Sequence, residues 1–232
     1  AAESLFSGTG LAQMDGADLN GTSSSYAYMF RRAPGFFDVV AYEGTGTAQA
    51  IDHNLGVVPE MIIVKNRDAT GSWLVYHAGV SADPETDYLV LSGNNAVADI
   101  NTAWNDTAPT ATEFTVGTST SANGSGNSCI AYLFATLPGV SKVGSFSHTN
   151  GSTTDVDCGF SSGARFVMLK RYNTTGNWII MDTERGIVAG NDPYLSLNTT
   201  AAEVTTADVI DPLSSGFQVA SGFLATGDWI FL

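Results

Sequence analysis

E-M-I-I-V-K-N-R-D-A-T-G-S-W-L-V-Y-H, Glu60 to His77, decides how the rest of the chain is read. An apolar run ends in Lys65, a polar turn closes on Gly71, and Trp73 opens a second apolar run. The same grammar returns in R-F-V-M-L-K-R-Y-N-T-T-G-N-W-I-I-M-D, Arg165 to Asp182. Lys65 matches Lys170, Gly71 matches Gly176 and Trp73 matches Trp178, all at an offset of 105. Self-similarity at a long fixed period marks a repeat architecture, in which each copy folds by the same rules.

Working outward, N-G-S-G-N-S-C-I-A-Y-L-F-A-T-L-P-G (Asn123 to Gly139) reads as turn, strand and Pro-Gly break. Asn20-Gly21 through Tyr26–Phe30 to Pro34-Gly35 echoes it, and the final G-D-W-I-F-L is a third, shortened copy. The array therefore divides into residues 1–34, the closing-strand region of a preceding repeat, then repeats over 35–137 and 138–232. That leading fragment is expected to continue an array lying upstream in a longer parent protein. The join Thr136–Gly139 is short, which favours a stiff pair over beads that swing freely.

Strands are predicted where short β-branched or aromatic runs are bounded by Gly, Pro, Asn or Asp. In the first repeat these are Phe36–Tyr42, Ala48–His53, Glu60–Val64, Ser72–His77, Asp87–Ser92, Glu113–Gly117 and Ser128–Phe134. In the second they are Lys142–Phe146, Asp155–Gly159, Arg165–Lys170, Asn177–Met181, Tyr194–Leu197, Gly216–Val219 and Asp228–Leu232. No helix is expected. Ala96–Trp104 reads as loop or edge, and Thr107, Pro109 and Pro212 as connections. About seven strands per hundred residues predicts an all-β fold of tandem antiparallel β-sandwich, jelly-roll-like domains, with a barrel as the alternative.

Composition narrows the function classes. Hydrophobic residues make up 44% of the 232, enough for packed cores, while charged residues make up only 14%. Nine Lys and Arg stand against 23 Asp and Glu, for a net charge of −14. Nucleic-acid partners need a basic footprint to displace counterions, and anionic membranes need the same, so neither is expected. No stretch approaches the ~20 apolar residues that cross a bilayer, and the start lacks the basic and apolar regions of a secretory signal.

Repetition also weighs the candidate chemistry, because a site used by both copies should recur. His53, His77 and His148 do not recur and form no zinc-spaced pair. Gly124-Ser125-Gly126 lacks the strand-to-helix context of a nucleophile elbow and reads as a flexible turn. Asp155 and Asp157 share a strand face, but their matched positions are Ala50 and Asp52. A solvated face accounts for them better than a glycosidase pair does. D-G-A-D-L-N-G, Asp15 to Gly21, fails as an EF-hand because Ala17 and Tyr26 occupy ligand positions, which leaves only an irregular calcium site open.

The recurring groups are scaffold-like. Trp73 and Trp178, with Tyr88 and Tyr194, read as core rather than as a sugar-stacking platform. Lys65 and Lys170 are expected to lay their stems along the hairpins with their heads in water. Cys129 and Cys158, at the junction of the repeats, are expected to be neighbouring buried free thiols. Six N-x-S/T sequons, including Asn105 and Asn198, are explained by the Asn, Ser and Thr content. No catalytic, cofactor or metal-binding residue is assigned, and no cofactor is expected.

The runs F-R-R-A-P-G-F-F-D-V-V-A-Y-E-G-T-G, H-N-L-G-V-V-P-E-M-I-I-V-K and G-S-W-L-V-Y-H together resemble an uncharacterised repeat domain of tailed-phage virion proteins. That domain is common in marine and cyanobacterial phages, often in long tail or fibre proteins. The resemblance is close over the first repeat and looser over the second, where Phe160 stands for Leu55. It implies a non-enzymatic structural protein, assembled in the host cytoplasm and carried on the virion as a tail-fibre or spike-like segment for host-surface adhesion. Its implied partners are other virion proteins and a host cell-surface glycan or protein receptor, and its implied state is a homo-oligomer. The alternatives are a decoration or connector module that binds other virion proteins, and a surface polysaccharide depolymerase.

Overall fold

The computed structural model describes residues 28–232, and Arg32–Leu232 form one compact unit. The fold is all-β and antiparallel throughout. Its first half holds β1 (Phe37–Glu43), β2 (Gln49–Asp52), β3 (Met61–Asn66), β4 (Leu74–His77), β5 (Asp87–Val90), β6 (Ala98–Asp99), β7 (Glu113–Val116) and β8 (Ser128–Phe134). Two one-turn helices, α1 (Asn101–Trp104) and α2 (Thr120–Asn123), interrupt it. The second half holds β9 (Gly144–His148), β10 (Thr154–Asp157), β11 (Phe166–Arg171), β12 (Trp178–Asp182), β13 (Leu195–Ser196), β14 (Ile210–Leu213), β15 (Gly216–Val219) and β16 (Gly227–Phe231).

Each half is a sandwich of one large and one small sheet. The large sheets run β1-β8-β3-β4-β5-β6 and β9-β16-β11-β12-β13, so five strands follow the same order in both halves. The small sheets are β2-β7 and β10-β15-β14. Register carries the equivalence to single residues. Lys65 lies opposite Ile130 on the closing strand, and Lys170 lies opposite Ile230. The carbonyl of Trp73 accepts from Leu91 N–H, and that of Trp178 accepts from Leu197 N–H.

Strand alternation makes the two cores. Ile62, Val64, Leu74, Ala131 and Leu133 of the first large sheet meet Ile51, Phe114 and Val116 of the small one, with Trp104 of α1 and Ala122 of α2 filling between. Val167, Leu169, Ile179 and Met181 meet Val156, Phe217 and Val219 in the same way. The opposite faces of the large sheets are also buried. Met61, Ile63 and Val75 on one, and Met168, Lys170, Trp178, Ile180 and Ile230 on the other, belong to neither core yet are at most 7% exposed. Strands buried on both faces read as unbroken apolar runs, as M-I-I-V and W-I-I-M do here.

Cross-links show what covers these second faces. Trp178 Nε1–H donates to Val90 O (2.9 Å) and Gly176 N–H donates to Asn94 O (2.9 Å). Val97 N–H donates to Tyr172 O (2.8 Å), and His77 Nε2 lies 3.3 Å from Phe231 O. The halves meet along a seam between their large sheets, consistent with the short join.

Several expectations need correction. Ala96–Trp104 is loop and edge only in its first part, where β6 is the outer strand of its sheet; its last part is α1, whose turn buries Ala103 and Trp104 in the first core. A second helical turn, α2, precedes Gly124. Pro212 lies inside a strand rather than a connection. β14 is the outer strand of its sheet, where a residue without N–H removes no ladder bond. The strand expected at Tyr26–Phe30 begins outside the described residues, and Tyr28–Phe30 are irregular. The Asp15–Gly21 stretch also lies outside them. The sandwich replaces the barrel alternative, with its strands divided unequally between the two sheets.

The two matched tryptophans differ in surroundings. Trp178 is 1% exposed in the seam, whereas Trp73 is half-buried and stacks on Tyr132 at 6.5 Å. W178F should cost about 1–2 kcal/mol in urea-unfolding free energy, because it removes the indole bond to the Val90 carbonyl in the seam and leaves that oxygen only its bond from Gly93 N–H. W73F should cost less than that. Equal losses would show that the seam bond contributes nothing.

Candidate functional site

The second half carries a cavity of about 260 Å³ at one end of its core, between the large sheet and the loop Phe223–Thr226. Arg171 on β11, Asn177 before β12, Ser196 on β13 and Trp229 on β16 contribute the walls from the sheet. Tyr194 and Phe223 add aromatic rings whose centroids lie 5.3 Å apart at 58°. Phe223 is 39% exposed, while Trp229 is 6% exposed and donates its indole N–H to Ala225 O (3.2 Å). Arg171 Nη1 and Nη2 each donate to a loop carbonyl, Thr226 O and Thr175 O, both at 3.3 Å. Those bonds use two of the five N–H donors of a guanidinium.

The first half is built differently at the same place. Where Arg171 lies opposite Trp229, Asn66 lies opposite Cys129; where Ile179 lies opposite Ser196, Leu74 lies opposite Val90. Asn66 Nδ2–H donates to Thr120 O of α2 (2.8 Å), and Tyr42 Oη–H donates to Ala122 O (2.6 Å). Asn123 is fully buried and donates to Thr47 O and Gly117 O, both at 2.6 Å. α2 is thus a plug held by side-chain bonds to β1 and β3. The second half has no such helix.

Other buried polar groups serve the fold. Lys170, expected in water, is fully buried. Its Nζ donates to Gly176 O (2.7 Å) and, across the seam, to Asn94 O (3.2 Å). The second copy packs its back face against the first half, so no water remains there for the ammonium. Burial, then the neighbouring Arg171, lower its pKa to about 8. Lys65 is half-buried and bonds the carbonyls of Asn66 and Ala69. Asp192 is fully buried and accepts backbone N–H bonds from Val188, Val209 and Ile210; burial nevertheless raises its pKa.

The histidines lie apart, with separate duties. His53 sits beside Thr110 O and accepts from Leu55 N–H. His77 accepts from Gly79 N–H at Nδ1 (3.0 Å) and so presents Nε2–H to Phe231 O; burial lowers its pKa to about 4. His148 Nδ1 lies 2.9 Å from Thr154 Oγ1, and burial lowers its pKa too. Asp155 and Asp157 lie on the exposed face of β10. Asp155 accepts from Gln218 (2.5 Å) and Asp157 from Gly159 N–H (2.8 Å). Among the described residues no group of His, Cys, Asp and Glu could hold a metal ion.

Cys129 and Cys158 are buried free thiols. They are not the neighbours expected at a junction. Cys129 lies between Tyr42 and Asn66 at the start of β8, and Cys158 lies in the second core against Gly216. Burial raises both pKa values, that of Cys158 to about 11.

Residues 8–230 match a family model described as a domain of unknown function, DUF7483. The chain belongs to this family. The DUF7483 match runs across both halves, so the family's unit is the fused pair rather than one sandwich. No curated protein and no solved structure matches. Among the described residues, no helix is long and apolar enough to cross a membrane.

Of this site, the sequence singled out Tyr194, Gly176 and the Asn173–Gly176 turn. Arg171, Ser196, Phe223 and Trp229 escaped because they stand where the two repeats differ. The available signal was their difference from Asn66, Val90 and Cys129.

Two pH responses follow. Unfolded His77 takes up a proton below 6.5, whereas the folded residue resists until about 4. Stability should therefore fall by up to ~3 kcal/mol as pH drops through that window, and H77Q should flatten the fall in urea midpoints. For Lys170, the unfolded amine keeps its proton to 10.5 and the folded one loses it near 8. Wild type should gain up to ~3 kcal/mol on K170M as pH rises from 8 to 10.5. A gap that stays constant with pH would mean that the buried amine is charged throughout.

Proposed function

We propose that this chain is a non-enzymatic segment of a tailed-phage virion, of tail-fibre or spike type, that presents polar loops to a host surface. One observation carries the reading: the groups shared by register are spent on the scaffold, while the loops between them are exposed and differ. Lys170 and Trp178 bind carbonyls across the seam, and the equivalent Lys65 and Trp73 brace their own hairpin. The polar connections Glu43–Thr47, Asn66–Gly71, Thr149–Thr153 and Asn173–Gly176 are exposed or half-buried apart from Gly44 and Asn66, which are buried, and they differ in sequence between the halves. Rigid sheets carrying variable loops suit recognition. The resemblance to virion repeat domains supports the location.

Such contacts are individually weak. In a homo-oligomer the loops act together, and avidity exceeds a single contact by ~10²–10⁴ without any strong site. The partners are a host cell-surface glycan or protein receptor and neighbouring virion proteins.

The test has two arms. Antibody-gold electron microscopy of purified particles should place the chain on the tail or fibre. The purified chain should bind host cells and release no reducing ends from their surface polysaccharide. Absence from particles would end the virion reading. Release of oligosaccharide, abolished in D155N or D157N, would make the protein a depolymerase.

A further inference from the structure

We propose that the cavity closed by Arg171, Ser196, Tyr194, Phe223 and Trp229 is a saccharide-binding site for a single pyranose ring, resting on the adhesion reading for its biological use. The first half supplies an internal control. At matched register it has Asn66, Val90 and Cys129 where the second half has Arg171, Ser196 and Trp229, and Asn66 there bonds the backbone of α2. Two of these exchanges add a hydroxyl or an aromatic ring, the third replaces an amide by a guanidinium, and no helix equivalent to α2 is present. A sandwich end that only needed closing would be better served by the first half's apolar and helical solution.

The chemistry of the walls selects the ligand. A pyranose has one face of C–H bonds and a rim of hydroxyls. Exposed Phe223, with Tyr194 beside it, offers an aromatic surface for the C–H face. Arg171, Asn177 and Ser196 offer donors and acceptors at the rim. Drug-sized ligands occupy about 300–1,000 Å³. At about 260 Å³ this cavity is matched to one ring rather than to an extended chain, so it would take a terminal or branching residue. Arg171 keeps N–H donors beyond the two spent on Thr226 O and Thr175 O. Asn177, whose Oδ1 accepts from Asn198 Nδ2–H, keeps its own amide N–H. A hydroxylated ligand can use these donors and a wholly apolar one cannot.

The full chain is titrated with D-glucose, D-galactose, N-acetyl-D-glucosamine and D-glucuronate, and followed by saturation-transfer NMR and calorimetry. At least one sugar should bind saturably. F223S, which removes an exposed ring, and S196V, which installs the first half's residue, should each weaken it about fivefold or more at unchanged thermal midpoint. No saturation by any of the four up to about 50 mM, or equal affinity in both folded variants, overturns the proposal. Host-cell binding is measured in parallel. Cells bound without any sugar in the cavity would leave adhesion standing and remove this site; sugar bound without cells would do the reverse.

Discussion

Burial of both faces of the two large sheets is the constraint on which the rest depends. A sandwich needs one apolar face per sheet. Here β3, β4, β11 and β12 are apolar on both, so neither half can leave its second face to water. Covering one back face with the other satisfies both at once. It also brings the Val90 and Asn94 carbonyls to the Trp178 indole, the Lys170 ammonium and Gly176 N–H, and Val97 N–H to the Tyr172 carbonyl. The seam is apolar at its centre and hydrogen-bonded along its margin.

That arrangement turns a repeat into an asymmetric object. Lys65 and Lys170 share a register and a residue type, yet one is half-buried beside its own turn and the other is sealed in the seam. The same holds for Trp73 and Trp178. Two copies stacked on a shared face cannot both present the same residue to the same neighbour unless a twofold axis relates them. The neighbours of each matched pair differ here, and the pair of copies gains distinct surfaces without losing a common fold.

Much of the fold was legible in the sequence. The echo from Glu60–His77 to Arg165–Asp182 located the paired hairpins, and β8 and β15 were predicted to the residue. What escaped was set by tertiary contact. α2 is a single turn whose Asn66, Tyr42 and Asn123 bonds come from distant segments, so no local periodicity announces it. α1 depends on Trp104 finding the first core and the Asp87 carbonyl. Pro212 signals a break in any scan, and only its place on an outer strand reconciles it with the ladder. The burial of Lys170 was hidden because four methylenes and one charge look the same in sequence whether the head meets water or the carbonyls of Gly176 and Asn94. The cavity was illegible for a related reason: its walls come from β11, β12, β13, β16 and the 223–226 loop, which only the fold brings together.

The places of β1 and β16 bear on how the unit would answer a pull along the chain. β1 lies on the rim of its sheet and is joined by one ladder, to β8. β16 lies between β9 and β11 and is gripped by two. Tension applied at both ends should strip β1 first, since only one row of bonds opposes it, while β16 keeps the second sandwich shut. Such an order would make the first half the fuse and leave the cavity of the second intact under strain.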